Sequence, residues 1–151
     1  MDTYEDLARQ YCEMQFLRAR RKRSFAEPVS NAGETAVLFY LFHEGDRVLV
    51  GEVSRELALT VARVTNILNS LEKHGYIVRE RDREDKRKVY ISLTEEGNAY
   101  IRRRQEEGVE QYRRLFERLG EVDSREYLRI QKRIQEIAAQ MSRKAEEAEE
   151  R

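Results

Sequence analysis

The chain has little of several residues on which common folds and sites depend. It contains a single cysteine, Cys12, so an internal disulfide is excluded. Its two histidines, His43 and His74, form no His-x-x-x-His pair, and no Cys-x-x-Cys pair occurs, so no zinc or other metal site is predicted. One proline and seven glycines in 151 residues leave few helix breakers, which favours long helices.

The chain also lacks an excess of charge of either sign and any long apolar run. Its 29 basic and 29 acidic residues cancel, so any attraction to nucleic acid must come from a local patch. No run approaches the roughly 20 apolar residues that cross a bilayer, and no hydrophobic signal region begins the sequence. We therefore predict a cytoplasmic protein with no membrane partner.

The sequence gives no indication of a catalytic site. It has neither a glycine-rich phosphate loop nor a nucleophile elbow, and neither histidine has a plausible catalytic partner. His74 directly precedes Gly75 and is interpreted as a capping group at a helix end. We predict no enzymatic activity and no cofactor.

Both ends of the chain have the apolar spacing of long helices. The first predicted helix runs from Asp2 to about Arg23, the second from Thr94 to about Leu119, and the last starts at the capping-box-like segment 123–126. The apolar stripe of the first helix comprises Tyr4, Leu7, Tyr11 and Met14, and that of the last comprises Tyr127, Ile130, Ile134, Ile137 and Met141. Such narrow stripes are typical of contact with another helix, from the same chain or from a second one.

The middle of the chain has the order of a helix-turn-helix followed by a β-wing. Helices are predicted over Glu34–His43, Gly51–Ala58 and Val61–His74, with Thr60 as an N-cap and Gly75 at the position that favours φ > 0. Two hairpin strands, Tyr76–Arg81 and Lys88–Leu93, follow. The predicted fold is mainly α, with a winged helix-turn-helix lobe between long terminal helices.

The helix Val61–His74 has two different faces. The side predicted to be buried comprises Val61, Val64, Ile67, Leu68 and Leu71. The outer side comprises Ala62, Arg63, Thr65, Asn66, Asn69 and Lys73, and no acid occurs before Glu72. Arg and Asn side chains can bind guanine and adenine bidentately, and a helix N-terminus with a threonine suits a phosphate. An ordinary polar helix face explains this helix equally well when it is considered alone.

The ten residues from Arg79 to Lys88 are all charged. Six are basic and four acidic, a local net charge of +2. A solvated hairpin tip with weak internal ion pairs explains the charges by themselves better than a binding site does.

Several short motifs, taken together, resemble the multiple-antibiotic-resistance regulator (MarR) family. The similarity is strong over residues 48–98 and rests on helix order alone elsewhere. The motifs are Leu57-Ala58-Leu59-Thr60, Leu71-Glu72-Lys73-His74-Gly75-Tyr76-Ile77-Val78-Arg79, Asp85-Lys86-Arg87 and Leu93-Thr94-Glu95-Glu96-Gly97.

The resemblance implies a homodimer that binds pseudo-palindromic duplex DNA. The helix Val61–His74 would lie in the major groove, and the wing Arg79–Lys88 would reach the minor groove, with Asp85 orienting Arg87. Within a single domain, residues 33–93 would form the winged lobe, and residues 1–27 and 94–151 the dimerisation helices. The predicted DNA-binding residues are Thr60, Ala62, Arg63, Thr65, Asn66, Asn69, Lys73, Arg81, Arg83, Lys86 and Arg87.

The resemblance further implies a transcriptional repressor released by a small effector, and it leaves alternatives open. A small aromatic or phenolic effector would bind beside Tyr11, Phe39, Tyr40 and Tyr100, although each of these could instead be a core residue. Some members of the family sense oxidants through a cysteine in the first helix, where Cys12 lies, but a small buried Cys12 is the preferred interpretation. A winged helix used as a protein–protein adaptor is the remaining alternative.

Overall fold

The computed structural model describes residues 2–19, 32–45 and 47–150, and these form six helices and three strands. In chain order they are α1 (Thr3–Ala19), α2 (Ala32–Glu44), β1 (Val48–Leu49), α3 (Val50–Glu56), α4 (Val61–Lys73), β2 (Ile77–Arg81), β3 (Val89–Leu93), α5 (Glu95–Leu119) and α6 (Glu121–Glu149). The fold is mainly α, as predicted. The part of the first predicted helix beyond Ala19 lies outside the described residues. No helix among the described residues is both long and apolar enough to span a membrane.

The chain divides into two compact units. The described part of the terminal unit contains α1 up to residue 18, α5 from Glu106 onward, and α6. The described part of the winged unit contains α2 to β3 and α5 as far as Gln105. The predicted boundaries, 33–93 for a DNA-binding lobe with dimerisation helices on either side, remain a prediction about the roles of these regions.

The winged unit is built on a small antiparallel sheet covered by α2, α3 and α4. The strand order is β1-β3-β2, so β3 is central. Ile77 and Ile91 are fully buried on the inner side of this sheet. The helical side chains that complete the core are Val37, Leu38, Tyr40, Leu41, Val53, Val64, Ile67, Leu68, Leu71 and Ile101.

The strand β1 was missing from the sequence prediction, which had only the two hairpin strands. Val48 pairs with Ile91 and Leu49 with Tyr90, in antiparallel register. Two residues are too few to give a period-2 pattern, and their partner strand lies far along the chain. Local sequence patterns therefore could not reveal this strand.

The terminal unit has a core of its own. The stripe predicted for the first helix is buried at Leu7, Tyr11 and Met14, which pack with Phe116 and Leu128 among others. The Tyr11 ring lies 4.2 Å from the Tyr112 ring and 5.6 Å from the Tyr127 ring, measured between centroids.

The last helix begins earlier than predicted. Gly120 adopts φ +88°, which lets the chain turn from α5 directly into α6 at Glu121 without a loop. Ser124, predicted to lie in a capping box, is therefore inside the helix and fully buried. Its hydroxyl lies 2.6 Å from the Gly120 carbonyl oxygen and 3.2 Å from that of Phe116.

Candidate nucleic-acid interface

The helix α4 presents the predicted polar face to solvent. Thr60 caps it, since its Oγ1 accepts a hydrogen bond of 3.2 Å from the backbone N–H of Arg63. Val64, Ile67, Leu68 and Leu71 are buried. The exposed residues are Ala62, Arg63, Thr65, Asn66, Asn69 and Lys73. The first turn has no acid, so the partial positive charge of the helix N-terminus is not neutralised locally.

Val61 was predicted to be buried, and this is wrong. Its side chain is 70% exposed. Helical side chains tilt toward the N-terminus, so a residue at the first position leans away from the body of the helix that covers the core. An apolar group thus lies exposed beside Ala62 at the end of α4 that carries the cap.

The Thr65 hydroxyl already makes a hydrogen bond within α4, which the sequence did not indicate. Its hydroxyl donates a hydrogen bond of 2.8 Å to the carbonyl oxygen of Val61. A hydroxyl has one hydrogen to donate, so Thr65 can donate to a phosphate only by giving up this bond.

The C-terminus of α4 determines where the wing begins. Gly75 has φ +76°, as predicted, and its N–H donates to the Glu72 carbonyl while the Tyr76 N–H donates to that of Leu71, both at 3.0 Å. These two bonds form a Schellman motif, which ends the helix and directs the chain into β2. His74 remains at the helix end, with Nδ1 2.7 Å from the Ser70 carbonyl oxygen.

Two of the family motifs meet at this turn. Thr94 donates a hydrogen bond of 2.5 Å to the Gly75 carbonyl and accepts one of 3.0 Å from the Gly97 N–H, which caps α5 as predicted. A Cβ added to Gly97 would lie 2.0 Å from the Tyr76 carbonyl oxygen, so only glycine fits. The end of α4, the start of β2 and the start of α5 are therefore held together.

The charged run forms a closed turn between β2 and β3. The Asp82 N–H donates to the Lys88 carbonyl at 2.9 Å, and the Lys88 N–H donates to that of Asp85 at 3.0 Å. The predicted basic residues of the wing, Arg81, Arg83, Lys86 and Arg87, are all exposed. The charges of the wing thus belong to an ordered turn.

Asp85 accepts two hydrogen bonds from Arg87. Its Oδ1 accepts hydrogen bonds from the Arg87 backbone N–H at 3.1 Å and from Nε at 3.3 Å. The Arg87 side chain is nevertheless 93% exposed. The guanidinium is therefore oriented at its base while most of its donors face solvent; its contact with DNA remains a prediction.

Sequence reasoning gave no role to Arg79, which connects the wing to α4. Its Nε donates to Glu72 Oε2 at 2.5 Å, and its Nη2 donates to Asn69 Oδ1 at 2.8 Å. The available signal was the Leu-Glu-x-x-Gly-x-Ile-x-Arg motif, which contains Glu72 and Arg79. Arg47 was also missed; its guanidinium lies 4.0 Å from the centre of the Tyr90 ring on β3.

The residues predicted to line an effector pocket have contacts within the cores. Tyr11 belongs to the core of the terminal unit, and Phe39, Tyr40 and Tyr100 to that of the winged unit. Tyr40 donates to Glu52 at 3.3 Å, and burial raises the pKa of Tyr40 to about 12. Tyr100 stacks on Tyr76 with ring centroids 4.4 Å apart. An effector pocket beside these residues remains a prediction.

Cys12 lies in an environment unlike that of a reactive thiol. Burial raises the pKa of the Cys12 thiol, and the opposing charge of Arg9 is itself paired with Glu5 and Glu106. Thiolate chemistry requires a lowered pKa, so the environment favours a packing role for Cys12.

The fold and this surface define the class of winged helix-turn-helix proteins, and comparison with known proteins agrees. Residues 31–104 match the family model of the transcriptional regulators SarA/Rot. The chain is 41% identical over 71 residues to the uncharacterized HTH-type transcriptional regulator YkoM of Bacillus subtilis, which is 47% of this chain and 46% of YkoM. The chain thus spans less than half of that relative's length.

Solved structures of winged-helix regulators are also similar in fold to this chain. The multiple antibiotic resistance repressor MarR superposes with a TM-score of 0.54 at 25% identity, over 64% of this chain and 72% of MarR. The MepR–DNA complex of S. aureus shares the fold with a TM-score of 0.56 at 23% identity, over 93% of this chain and 99% of MepR. These similarities support the resemblance to the MarR family.

Proposed function

We propose that this protein is a homodimeric, sequence-specific DNA-binding transcriptional regulator. The observation that carries the proposal is the exposed face of α4, which has no acid between Val61 and Leu71 in a chain with 29 acidic residues. A carboxylate on this face would repel phosphates, and Arg63 and Asn66 match the major-groove edges of guanine and adenine. MepR, which shares the fold, was solved bound to DNA.

The proposed contacts divide into two kinds. Ala62, Arg63, Asn66 and Asn69 lie on α4 where base edges would be read in the major groove. The residues proposed to contact the phosphate backbone are Thr60 and Thr65 at the start of α4, Lys73 near its end, and Arg81, Arg83 and Lys86 in the wing. Phosphate contacts position the protein, whereas base contacts give sequence preference.

The wing is proposed to place Arg87 in the minor groove. Arg87 is held at its base by Asp85 and is otherwise exposed, so its remaining donors can bind without a large loss of side-chain entropy. Arg87→Ala should weaken binding to all sequences. An Arg87→Ala protein with wild-type affinity would mean that the wing is only a solvated hairpin.

The homodimer is proposed to form through the terminal helices. Tyr127 packs in the core of the terminal unit, but the rest of the α6 stripe, Ile130, Ile134, Ile137 and Met141, is 40–54% exposed. Further exposed apolar residues in this unit are Leu115, Leu119 and Val122. A second copy of the chain would cover this stripe, and dimerisation would double the DNA contacts, as a pseudo-palindromic operator requires.

The dimer can be tested by substitution in the stripe. Ile134→Glu should raise the dimer dissociation constant at least about tenfold, because a side chain buried in the interface is replaced by a charge. Gln140→Glu, an exposed change of similar charge on the same helix, is the control. Equal dissociation constants for both variants and wild type, measured by analytical ultracentrifugation, would place the interface elsewhere.

The regulator is further proposed to be a repressor released by a small aromatic or phenolic effector. The support is the family resemblance and the aromatic residues Tyr11, Phe39, Tyr40 and Tyr100. A reporter under the promoter bound by the protein should be repressed, and a panel of phenolic anions should release it. Release by peroxide that is lost in Cys12→Ser would instead favour thiol sensing.

The central experiment is a titration of duplex DNA from the region upstream of the protein's own gene. We expect tighter binding to such a fragment than to random duplex, and an affinity that falls with salt by roughly −0.9 in log–log slope for each phosphate neutralised. Binding no better than to random duplex would refute sequence-specific regulation and favour the adaptor alternative.

A further inference from the structure

Asn69 is held in one orientation by the base of the wing. Arg79 approaches it from β2, with Nη2 2.8 Å from the amide oxygen Oδ1. A guanidinium has only donors, so the atom of the amide that faces Arg79 must be the oxygen, and the NH₂ group must face the other way. The chemistry of the partner therefore decides the orientation of this amide.

Arg79 is itself fixed by a second partner. Its Nε donates to Glu72 Oε2 at 2.5 Å, and its side chain is only 30% exposed. Glu72 lies three residues after Asn69 on α4, so one guanidinium bridges two neighbouring positions of the same helix face. The charge of Arg79 is balanced by the Glu72 carboxylate, which makes Arg79 a poor candidate for a phosphate contact.

Asn66 provides the contrast, one turn earlier on the same face. Its side chain is exposed, and its amide makes no hydrogen bond among the described residues. A free asparagine amide can bind adenine bidentately, since its oxygen accepts from N6–H and its NH₂ donates to N7. Asn69 is not free in this way, because Arg79 occupies its oxygen.

We propose that Arg79 and Glu72 are positioning residues that make Asn69 present N–H donors to the operator, so that Asn69 selects a keto base over an amino base. In the major groove guanine presents two acceptors, O6 and N7, and thymine presents O4, whereas cytosine N4 carries a donor and adenine offers N7 only beside the N6 donor, which opposes an NH₂ group. This inference rests on the proposed function, and it predicts the type of base at one position of the operator.

The test is selection of preferred sites from randomised duplex DNA by the full-length protein and three variants. Wild type should show one position in each half-site with a preference of about tenfold for guanine or thymine, the size expected for one base-edge contact. Asn69→Ala should remove this preference. Arg79→Met should free the amide oxygen and admit adenine at the same position.

Arg81→Met is the matched control, because Arg81 is the next residue on the same face of β2 and is proposed to contact phosphate. It should lower affinity for all sequences alike and reduce the salt slope by about 1 per protomer, whereas Arg79→Met should change the slope less. If Arg79→Met does not fold, Arg79→Lys serves instead, since an ammonium lacks the planar fork through which the guanidinium bonds Glu72 and Asn69 at once.

The outcomes separate the two proposals. A wild-type protein that selects no sequence overturns the proposed function and this inference with it. Selective binding in which Arg79→Met keeps the wild-type preference at every position, or merely lowers affinity uniformly as Arg81→Met does, overturns only the inference. A change of preference confined to the position that Asn69→Ala also affects supports it.

Discussion

The two units of the molecule use their charged residues differently. In the terminal unit, most ion pairs connect residues one turn apart on one helix, as in Arg129–Glu126 on α6 and Arg114–Glu110 on α5, although Arg9 of α1 also pairs with Glu106 of α5. In the winged unit, Arg79 of β2 bonds to Glu72 and Asn69 of α4. A charge pair within one helix contributes little beyond solubility, whereas a pair between two elements determines where they sit.

The outer faces of α4 and α6 also differ in their acidic residues. The face of α4 has no acid before Glu72, whereas α6 has acids along its length, beginning with Glu121 and Asp123 in its first turn. The whole chain is neutral, so the average charge hides this contrast. A neutral protein can present a DNA-compatible surface when its acids are segregated away from one helix.

The largest expected effect comes from making the face of α4 resemble that of α6. Asn66→Glu should weaken specific DNA binding by about 100-fold, because it removes a base contact worth roughly 1–3 kcal/mol and adds a charge that phosphates repel. Gln140→Glu makes a similar change on α6 and should leave affinity unchanged. Both are measured by fluorescence anisotropy at one salt concentration. Comparable losses in both variants would show that total charge, and not the α4 face, governs binding.

A smaller effect is expected at the turn where the end of α4, the start of β2 and the start of α5 meet. Gly97→Ala would place a methyl group 2.0 Å from the Tyr76 carbonyl oxygen if the backbone did not move. The shift that relieves this contact should lower the free energy of unfolding by about 1–3 kcal/mol. In Gly51→Ala the new methyl group meets nothing within 4 Å, so stability should be unchanged or slightly higher. Chemical denaturation measures both. Equal stability of the two variants would mean that α5 is not held tightly at this turn.

The smallest effect is expected within the terminal unit. Arg129→Met removes an exposed i,i+3 ion pair to Glu126 and should leave both the denaturation midpoint and the DNA affinity at their wild-type values, because exposed pairs contribute little to stability. The same assays used for the two previous comparisons measure it. A clear fall in the denaturation midpoint would contradict the view that the ion pairs within single helices of this unit are individually weak.

The helices could be predicted from the sequence because their signals are local. Thr60 and Gly75 marked the ends of α4, Thr94 the start of α5, and Gly120 its end, through the caps and positive φ angles that these residues favour. The errors have two causes. β1 requires the distant strand β3 as its partner, whereas Val61 is exposed because it is the first residue of α4 and leans away from the part of the helix that covers the core.

The candidate site could likewise be predicted only where its signals are local. The exposed polar face of α4 and the position of Asp85 two residues before Arg87 could be derived from spacing and from the family motifs. The contact of Arg79 with Asn69 could not, since the two are ten residues apart and belong to different elements. Their contact depends on the direction in which β2 leaves the Schellman turn at Gly75.

The sequence by itself determined the order of helices and wing, the acid-free face of α4 and the family resemblance, because these depend on periodicity, composition and short motifs. Only the tertiary structure decided which amide is held and which is free. Asn66 and Asn69 have the same side chain on the same helix face, but β2 brings a guanidinium to one of them alone. Hydrogen bonds between elements depend on ångström-scale placement, which residue spacing along the chain does not specify.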